Sequence, residues 1–213
     1  MNDEGLFLKG IQISWDKVDP SDYSHAIPSL KDLDHLIFMK RVVFFTGENG
    51  SGKSTLLEAI AIAYGFNPEG GTRNYSFSTY DDYSGLHEGL RLMRGPNQSR
   101  WCYFLRAESF FNVATQEEEY SDLMHPSLHL HAQSHGESFL TIARKNFQAD
   151  GFYLLDEPEA ALSPERQLSL IAEIYDSAAM GAQFIIASNS PILLGYPDAE
   201  ICTILRRGSP SLQ

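Results

Sequence analysis

The stretch Gly47-Glu48-Asn49-Gly50-Ser51-Gly52-Lys53-Ser54-Thr55 decides how the rest of the chain is interpreted. Residues 47–54 fit the pattern G-x-x-x-x-G-K-[ST], in which glycines let the backbone curl round a phosphate chain with its N–H groups pointing inward. The apolar run 41–46 predicts a buried strand, and residues 53–64 predict a helix whose positive end adds to the attraction. We therefore expect residues 47–55 to bind phosphate, with Lys53 on the β- and γ-phosphates and Ser54 on Mg²⁺. A glycine-rich turn without a ligand is the alternative.

A second motif, Asp156-Glu157-Pro158, directly follows the apolar run 151–155. In a phosphate-loop fold, an acid at the carboxyl end of a neighbouring strand holds the Mg²⁺ of the nucleotide, so Asp156 is the predicted second metal ligand. Glu157 comes next, and along a strand its side chain points away from that of Asp156, where it can polarise an attacking water as the catalytic base. The alternative is a strand end that carries two solvated acids.

Two further segments place polar residues beside predicted helices or strands. Gln133-Ser134-His135-Gly136-Glu137-Ser138 precedes an apolar stretch, so small residues begin a helix and create another anion-binding N-terminus. The nucleotide bound by the same chain does not require this second anion site, because residues 47–55 already surround its phosphates. The alternative is an ordinary helix start with a serine cap. The apolar run 183–187 predicts a third buried strand, which ends in Ser188-Asn189-Ser190-Pro191.

Four strings together resemble a known group of proteins: GENGSGKSTLLEA at 47–59, LRAESFFNVA at 105–114, QSHGESF at 133–139 and LLDEPEAALSP at 154–164. They are similar to the ABC-type ATPase superfamily of P-loop proteins, in particular to stand-alone predicted ATPases of the AAA family in its SMC/ABC-like branch. The resemblance implies an α/β fold with a mostly parallel core sheet flanked by helices and an N-terminal antiparallel β portion. It also implies one domain over 1–213, with a small helical lid near 110–140.

The same resemblance implies how such a site works. Two subunits pack head to tail, and Ser134, Gly136 and Glu137 of one subunit contact the γ-phosphate that the other subunit holds. Glu108 occupies the place where relatives have a glutamine that contacts Mg²⁺ and the attacking water; a plain strand-end acid is the alternative. Asn189 stands where relatives have a histidine at the γ-phosphate, so we expect ATP binding to survive and turnover to be slow, unless Asn189 merely caps the strand.

The composition narrows the class of partner. A net charge of −12 over 213 residues argues against a general nucleic-acid surface, because affinity for phosphate backbones comes from clustered Lys and Arg. A local basic patch stays open as an alternative to solvated surface: Arg73, Arg91, Arg94, Arg100 and Arg106. Arg106 also belongs to the string at 105–114, so a role at the nucleotide site is its other alternative. No run approaches the roughly 18 apolar residues of a membrane span, and the start Met1-Asn2-Asp3-Glu4 is acidic, so we expect a cytoplasmic protein without membrane insertion.

Aromatic and histidine residues add two smaller hypotheses. Trp15 and Tyr23 are the candidates upstream of the phosphate loop for the aromatic that stacks on adenine in this superfamily. Several histidines lie close in sequence, but Pro126 and Gly136 interrupt them and no cysteine accompanies them, which favours a polar lid over a zinc site. These histidines are His125, His129, His131 and His135.

Together these patterns predict Mg²⁺-dependent ATP binding and hydrolysis, coupled to closure of a head-to-tail homodimer. The alternative is a nucleotide-switched binding module with slow turnover, such as the cassette subunit of a transporter or of a nucleic-acid or defence complex. An unidentified effector protein and nucleic acid are the further partners that the sequence leaves open.

Overall fold

Strands and helices alternate over most of the chain. The computed structural model describes residues 5–72, 83–108, 110 and 135–205. The strands in these ranges are β1 Leu8–Ile13, β2 His35–Ile37, β3 Val42–Thr46, β4 Leu90–Arg94, β5 Trp101–Arg106, β6 Gly151–Asp156, β7 Gln183–Ala187 and β8 Glu200–Thr203. The α-helices are α1 Pro28–Lys31, α2 Lys53–Tyr64, α3 Leu86–Gly89, α4 His135–Asn146, α5 Pro164–Ala179 and α6 Pro191–Leu194. Short 3-10 turns cover Trp15–Lys17, Tyr23–Ala26 and Pro158–Ala161.

A parallel sheet forms the centre of the fold, with the strand order β5-β6-β7-β3-β8. Such a sheet is covered on both faces, so its inner strands need apolar side chains at consecutive positions. Accordingly, every residue of β6 and β7 is buried. The strands predicted at 41–46, 151–155 and 183–187 are confirmed, with small shifts at their ends. Because parallel strands end at one edge, the residues that follow β3, β6 and β7 meet there.

Helices cover both faces of the sheet, and alternate residues of β3 show how the core divides. Val43 and Phe45 pack into a cluster with the apolar face of α2, whereas Phe44 packs with α4 and α5 on the opposite face. Phe139 of α4 is completely buried in this second cluster. A fully buried side chain of this size stabilises the fold by roughly 1.5–3 kcal/mol, so both layers hold the sheet rigidly beneath its carboxyl edge.

A smaller antiparallel sheet with the order β2-β1-β4 packs beside α2. Gln183, the first residue of β7, ties it to the central sheet: its completely buried side-chain amide accepts hydrogen bonds from the N–H groups of Phe7 and Leu8 and donates one to the Leu8 carbonyl. The predicted N-terminal antiparallel portion is therefore confirmed, and with it the α/β P-loop architecture.

The predicted helical lid near 110–140 lies largely outside the described residues. Of that segment the structure describes Phe110, which is buried, and the beginning of α4. The lid and the single domain over 1–213 therefore remain predictions. None of the helices in the described ranges is long and apolar enough to cross a membrane.

Candidate nucleotide-binding site

The loop between β3 and α2 curls as a phosphate-binding loop does. Gly50 and Gly52 adopt left-handed backbone conformations with φ of 76° and 86°, and α2 begins directly at Lys53. At position 52 a side chain would also collide with α1, since an added Cβ would lie 2.7 Å from Leu30 Cδ1. Glycine is therefore required here by both conformation and space. The loop leads into the N-terminal end of α2, where unpaired N–H groups attract anions.

Lys53 places its positive charge inside this loop. The residue is 3% exposed, and its Nζ donates hydrogen bonds to the carbonyl oxygens of Gly47 at 3.0 Å and Glu48 at 3.2 Å. Among the residues that the structure describes, no carboxylate pairs with it. A buried cation held only by carbonyl oxygens is well suited to a phosphate group, which can supply the missing negative charge.

Asp156 ends β6 next to the start of α2. Its side chain accepts a hydrogen bond from Ser54, and its Oδ2 lies 3.4 Å from Nε of Arg106. Within the part of the chain that the structure describes, the buried Oδ1 has no hydrogen-bond partner. Burial raises the pKa of Asp156 to about 6, although Arg106 and the Ser54 hydrogen bond oppose the shift. A buried carboxylate with one free oxygen, beside a serine hydroxyl, offers the oxygen ligands that Mg²⁺ prefers.

Because the pKa of Asp156 is raised in the folded protein, the free energy of unfolding should depend on pH. Because its pKa is about 6 in the folded protein and ordinarily 3.8 for an exposed aspartate, the folded state binds an extra proton between these values. The free energy of unfolding of the metal-free protein should therefore fall as pH rises from about 4 to 6, by on the order of 3 kcal/mol from this group. Urea unfolding in EDTA at pH 4.5 and pH 8 should show about 2 kcal/mol of this decrease, and Asp156→Asn should remove this part of the pH dependence. Equal pH dependence in both proteins would contradict the assignment.

Arg106 connects Asp156 with two further acids. Its Nη1 donates to Oε2 of Glu58 at 2.7 Å and to the carbonyl oxygen of Pro68 at 2.8 Å, and its Nη2 lies 3.7 Å from Oε2 of Glu108. Arg106 therefore does not belong to an exposed basic patch: its charge pairs with acids of this site, in line with the alternative that it serves the nucleotide site. Sequence reasoning missed Glu58, although an acid four residues after Ser54 on an otherwise apolar helix was a readable signal.

The strand geometry expected for Glu157 needs a correction, because β6 ends at Asp156 and the alternation of a strand does not apply; the direction of its side chain stays a prediction. Glu157 instead has a left-handed backbone with φ 47° and ψ 48°, and its N–H donates to the carbonyl of Ala187. This conformation costs a non-glycine residue roughly 1–2 kcal/mol. Glu157 is exposed, as is Glu108, whose side chain is 88% exposed.

Asn189 reaches from the end of β7 to the phosphate loop. Its Oδ1 accepts hydrogen bonds from the N–H of Gly47 at 3.2 Å and the hydroxyl of Thr46 at 3.4 Å, and its Nδ2 donates to Oδ1 of Asn49 at 3.2 Å. The Asn189 N–H donates to Oε1 of Glu159. These contacts join the end of β7 to the phosphate loop, and both the role of Asn189 at a γ-phosphate and the alternative of a plain cap stay predictions.

The cap of the following helix is Ser190, whose Oγ accepts from the N–H groups of Ile192 and Leu193 at the start of α6. The side chain of Asn189 therefore takes no part in this helix cap and contacts the phosphate loop instead.

The segment predicted to contact a second nucleotide is described only from His135 onward, and Ser134 lies outside the described residues. Gly136 is buried, and an added Cβ would lie 2.8 Å from Nη1 of Arg166 and 3.0 Å from the carbonyl oxygen of Ala161. Glu137 is exposed and pairs with Arg166 at 3.2 Å. The start of α4 thus packs against the turn that follows Glu157.

Of the two aromatic candidates, Tyr23 lies nearer to the loop. It is 50% exposed, and its side chain is hydrogen-bonded to Thr55 at the start of α2. Trp15 is partly buried, and its Nε1 donates to the carbonyl oxygen of Leu33. An adenine ring beside the loop therefore has Tyr23 as the better-placed candidate.

The remaining basic and histidine candidates are only partly described. Arg91 and Arg94 are exposed on the edge strand β4, and the Arg94 guanidinium stacks 4.5 Å from the ring centre of Tyr64. Arg100 is exposed before β5. Four other predicted residues lie outside the described ranges: Arg73, His125, His129 and His131.

Comparison with known proteins agrees with this fold. A family model described as an AAA domain matches residues 25–99, which include the phosphate loop. The SMC head domain from Thermotoga maritima has a similar structure, with a TM-score of 0.51 and 13% identity over 94% of this chain and 96% of that chain. No curated protein matches the sequence.

Two further solved structures have lower scores. An SMC head bound to the C-winged helix domain of ScpA has a TM-score of 0.46 and 15% identity over 79% of this chain and 88% of that chain. A metal-chelate type ABC transporter in an inward-facing conformation has a TM-score of 0.37 and 18% identity over 73% and 64% of the two chains. The strand order, the loop between β3 and α2 and the similarity to the SMC head domain together show an α/β P-loop fold of the SMC/ABC type.

Proposed function

We propose that the protein binds ATP together with Mg²⁺ and hydrolyses the β–γ phosphoanhydride bond. The observation that carries this proposal is the meeting of Lys53, Ser54 and Asp156 at the carboxyl edge of the parallel sheet. A buried cation within a curled loop fits a phosphate chain, and a buried carboxylate beside a hydroxyl fits Mg²⁺. Residues 47–55 would surround the phosphates, and Ser54 and Asp156 would hold the metal.

The buried charges near Asp156 support a divalent cation at this place. Asp156 and Glu58 have side chains that are 7% and 11% exposed, and Arg106 is the cation that contacts both. Two carboxylates and one guanidinium leave a negative charge that is not balanced within this group. When bound with ATP, Mg²⁺ would supply that positive charge and neutralise charge that develops on the phosphate oxygens.

The acid that follows Asp156 is the proposed catalytic base. Glu157 is exposed and strained beside the proposed metal ligand, and residues in such conformations cluster at active sites. Its carboxylate would take the proton of the water that attacks the γ-phosphorus. Glu108, which faces Arg106 across the same edge, is a weaker candidate that would orient this water or contact Mg²⁺.

We further propose that ATP binding closes a head-to-tail homodimer. Glu137 is exposed at the start of α4, where a second subunit has access to it, and Gly136 lets α4 approach Arg166 closely. Ser134, Gly136 and Glu137 would then contact the γ-phosphate of the partner's nucleotide. An effector protein in the cytoplasm would bind the closed dimer. Each subunit would consist of one domain over 1–213, with a helical lid near 110–140.

A slow nucleotide switch is the second candidate function, and the position of Asn189 favours it. Asn189 contacts the loop at Gly47 and Asn49 but has no titratable proton. Such a module would act by closing on a partner, as a transporter cassette or a nucleic-acid or defence complex does, and turnover would only reset it. The exposed Arg91 and Arg94 are the described residues that a nucleic acid would contact.

Asn189→His should raise kcat, by up to about 10²-fold, with little change in ATP affinity. A histidine Nδ1 can replace Oδ1 of Asn189 as the acceptor for the Gly47 N–H, while its second ring nitrogen adds a donor for charge that develops at the γ-phosphate. Steady-state kinetics of wild type, Asn189→His and Asn189→Ala measure this. Brisk wild-type turnover with a neutral or slower histidine variant would remove the main support for the slow switch.

The proposed activity is tested by phosphate release from the purified wild-type protein. We expect release that requires Mg²⁺ and stops when EDTA is added. An ATP-binding protein that releases no phosphate over many hours would favour the switch over the enzyme, whereas release that is unaffected by EDTA would contradict the metal site.

A further inference from the structure

Arg106 lies at the centre of the acidic groups of this site. It is the last residue of β5 and pairs with Asp156 in the register of the β5–β6 ladder, so the backbone itself brings the two side chains together. The Arg106 side chain is only 15% exposed. Three acidic side chains lie within ion-pair distance of its guanidinium: Glu58, Glu108 and Asp156.

The contacts of Arg106 differ in strength. Nη1 makes two short hydrogen bonds, at 2.7 Å to Glu58 and 2.8 Å to the Pro68 carbonyl, and these fix the plane of the guanidinium. Nε lies 3.4 Å from Oδ2 of Asp156 and makes no hydrogen bond. Glu58 on α2 and the Pro68 carbonyl in the following loop therefore hold the guanidinium in place. The guanidinium attracts Asp156 but leaves Oδ1 of that carboxylate unused.

We propose that Arg106 is a positioning residue that orients Asp156 for Mg²⁺. By attracting Oδ2, the fixed guanidinium sets the rotation of the carboxylate and leaves Oδ1, which has no hydrogen-bond partner among the described residues, as the metal ligand. This inference rests on the proposed function, since it requires that Ser54 and Asp156 hold the metal. Partners of this kind typically change metal affinity by about 10- to 100-fold when they are removed.

A simpler account is that Arg106 only balances the charge of buried acids. The two accounts differ in what happens when Glu58 is neutralised together with Arg106. If Arg106 only balances charge, Arg106→Gln is harmful because Glu58 is left buried and unpaired, and adding Glu58→Gln should restore the site. If Arg106 orients Asp156, the double variant should remain defective, because no guanidinium attracts Oδ2 and the Ser54 hydroxyl that also contacts Asp156 is itself a proposed metal ligand.

The experiment measures Mn²⁺ binding to the protein in complex with the non-hydrolysable β,γ-imido analogue of ATP, from the electron paramagnetic resonance signal of free Mn²⁺. The affinity for the analogue in EDTA is measured in parallel. The variants are Arg106→Gln, Glu58→Gln and the double variant. Arg144→Gln is the matched control, because it removes an arginine from an ion pair with Glu173 on the exposed surface.

Arg106→Gln and the double variant should both bind Mn²⁺ about 10- to 100-fold more weakly than wild type, with metal-free analogue affinity nearly unchanged. Arg144→Gln should stay within about threefold of wild type. Glu58→Gln removes one buried negative charge but leaves the cation beside Asp156 in place, so it should bind Mn²⁺ about tenfold or more tightly than the double variant does. A double variant that regains the Mn²⁺ affinity of Glu58→Gln would overturn the inference. Wild-type protein that binds the analogue but recruits no Mn²⁺ would instead refute the proposed metal site itself.

A second variant covers the case in which Arg106→Gln does not fold. Arg106→Lys keeps a positive charge near Glu58, but its single nitrogen cannot reproduce the contacts of the guanidinium fork. It should fold and still bind Mn²⁺ about tenfold more weakly than wild type. Wild-type Mn²⁺ affinity in Arg106→Lys would show that a charge alone suffices and that the geometry of Arg106 has no positioning role.

Discussion

Lys53→Ala is expected to weaken ATP binding by about 10²- to 10⁴-fold while leaving the fold intact, because each charged hydrogen bond to phosphate contributes roughly 1.5–3 kcal/mol. The buried Nζ of Lys53 donates only to two loop carbonyls, so no buried acid loses its partner in the variant. Water can reach the loop carbonyls once the side chain is removed, and the cost to the fold should be small.

Thermal unfolding with and without Mg²⁺-ATP measures this effect, since a ligand that binds the folded state raises its stability by mass action. ATP should raise the melting temperature of the wild type and leave that of Lys53→Ala unchanged. Lys40→Ala is the control. Lys40 lies just before β3, at the end of the sheet opposite the phosphate loop, and pairs with Asp198. This variant should respond to ATP as wild type does. An unchanged ATP response in Lys53→Ala would refute the loop assignment.

Glu157→Gln is expected to reduce phosphate release by about 10²- to 10⁴-fold, the usual contribution of a general base. Glutamine retains the size of Glu157 but cannot accept the proton of the attacking water. ATP binding should be preserved, because Glu157 is exposed and the phosphate contacts come from residues 47–55. With Mg²⁺-ATP the variant should therefore accumulate as a stable dimer, since closure occurs and hydrolysis cannot reopen it.

Sedimentation velocity of Glu157→Gln with saturating Mg²⁺-ATP tests this accumulation. Adding Ser134→Arg should disperse the dimer, because a large cation would occupy the proposed contact with the opposite γ-phosphate. Glu165→Gln, which removes another exposed acid from the first turn of α5, should behave as wild type. A purely monomeric Glu157→Gln protein in saturating ATP would contradict the dimer scheme.

The central sheet and the phosphate loop were predictable because local rules decide them. Strands β3, β6 and β7 are continuous apolar runs, and glycines at Gly50 and Gly52 permit the left-handed conformations that the loop needs. Since parallel strands end at one edge, the proximity of the loop, Asp156 and Asn189 followed from the order of the motifs.

Other parts of the site depend on tertiary packing, which single-sequence patterns do not contain. The contact of Arg106 with Glu58 needs β5 and α2 to approach each other, so the sequence left Arg106 open between a surface patch and the nucleotide site. The backbone of Glu157 departs from strand geometry because its N–H bonds to the Ala187 carbonyl, a non-local contact. Residues outside the described ranges, such as Ser134, remain predictions from the resemblance.

A calorimetric titration of the wild-type protein with ATP, in Mg²⁺ and then in EDTA, shows whether residues 47–55 and Asp156 form a Mg²⁺-ATP site. We expect one ATP per chain, tighter binding with Mg²⁺ than without it, and loss of the Mg²⁺ effect in Asp156→Asn, because Asp156 and Ser54 are the proposed metal ligands. Absence of binding, or an Asp156→Asn protein whose Mg²⁺-dependent affinity equals that of the wild type, would contradict that site.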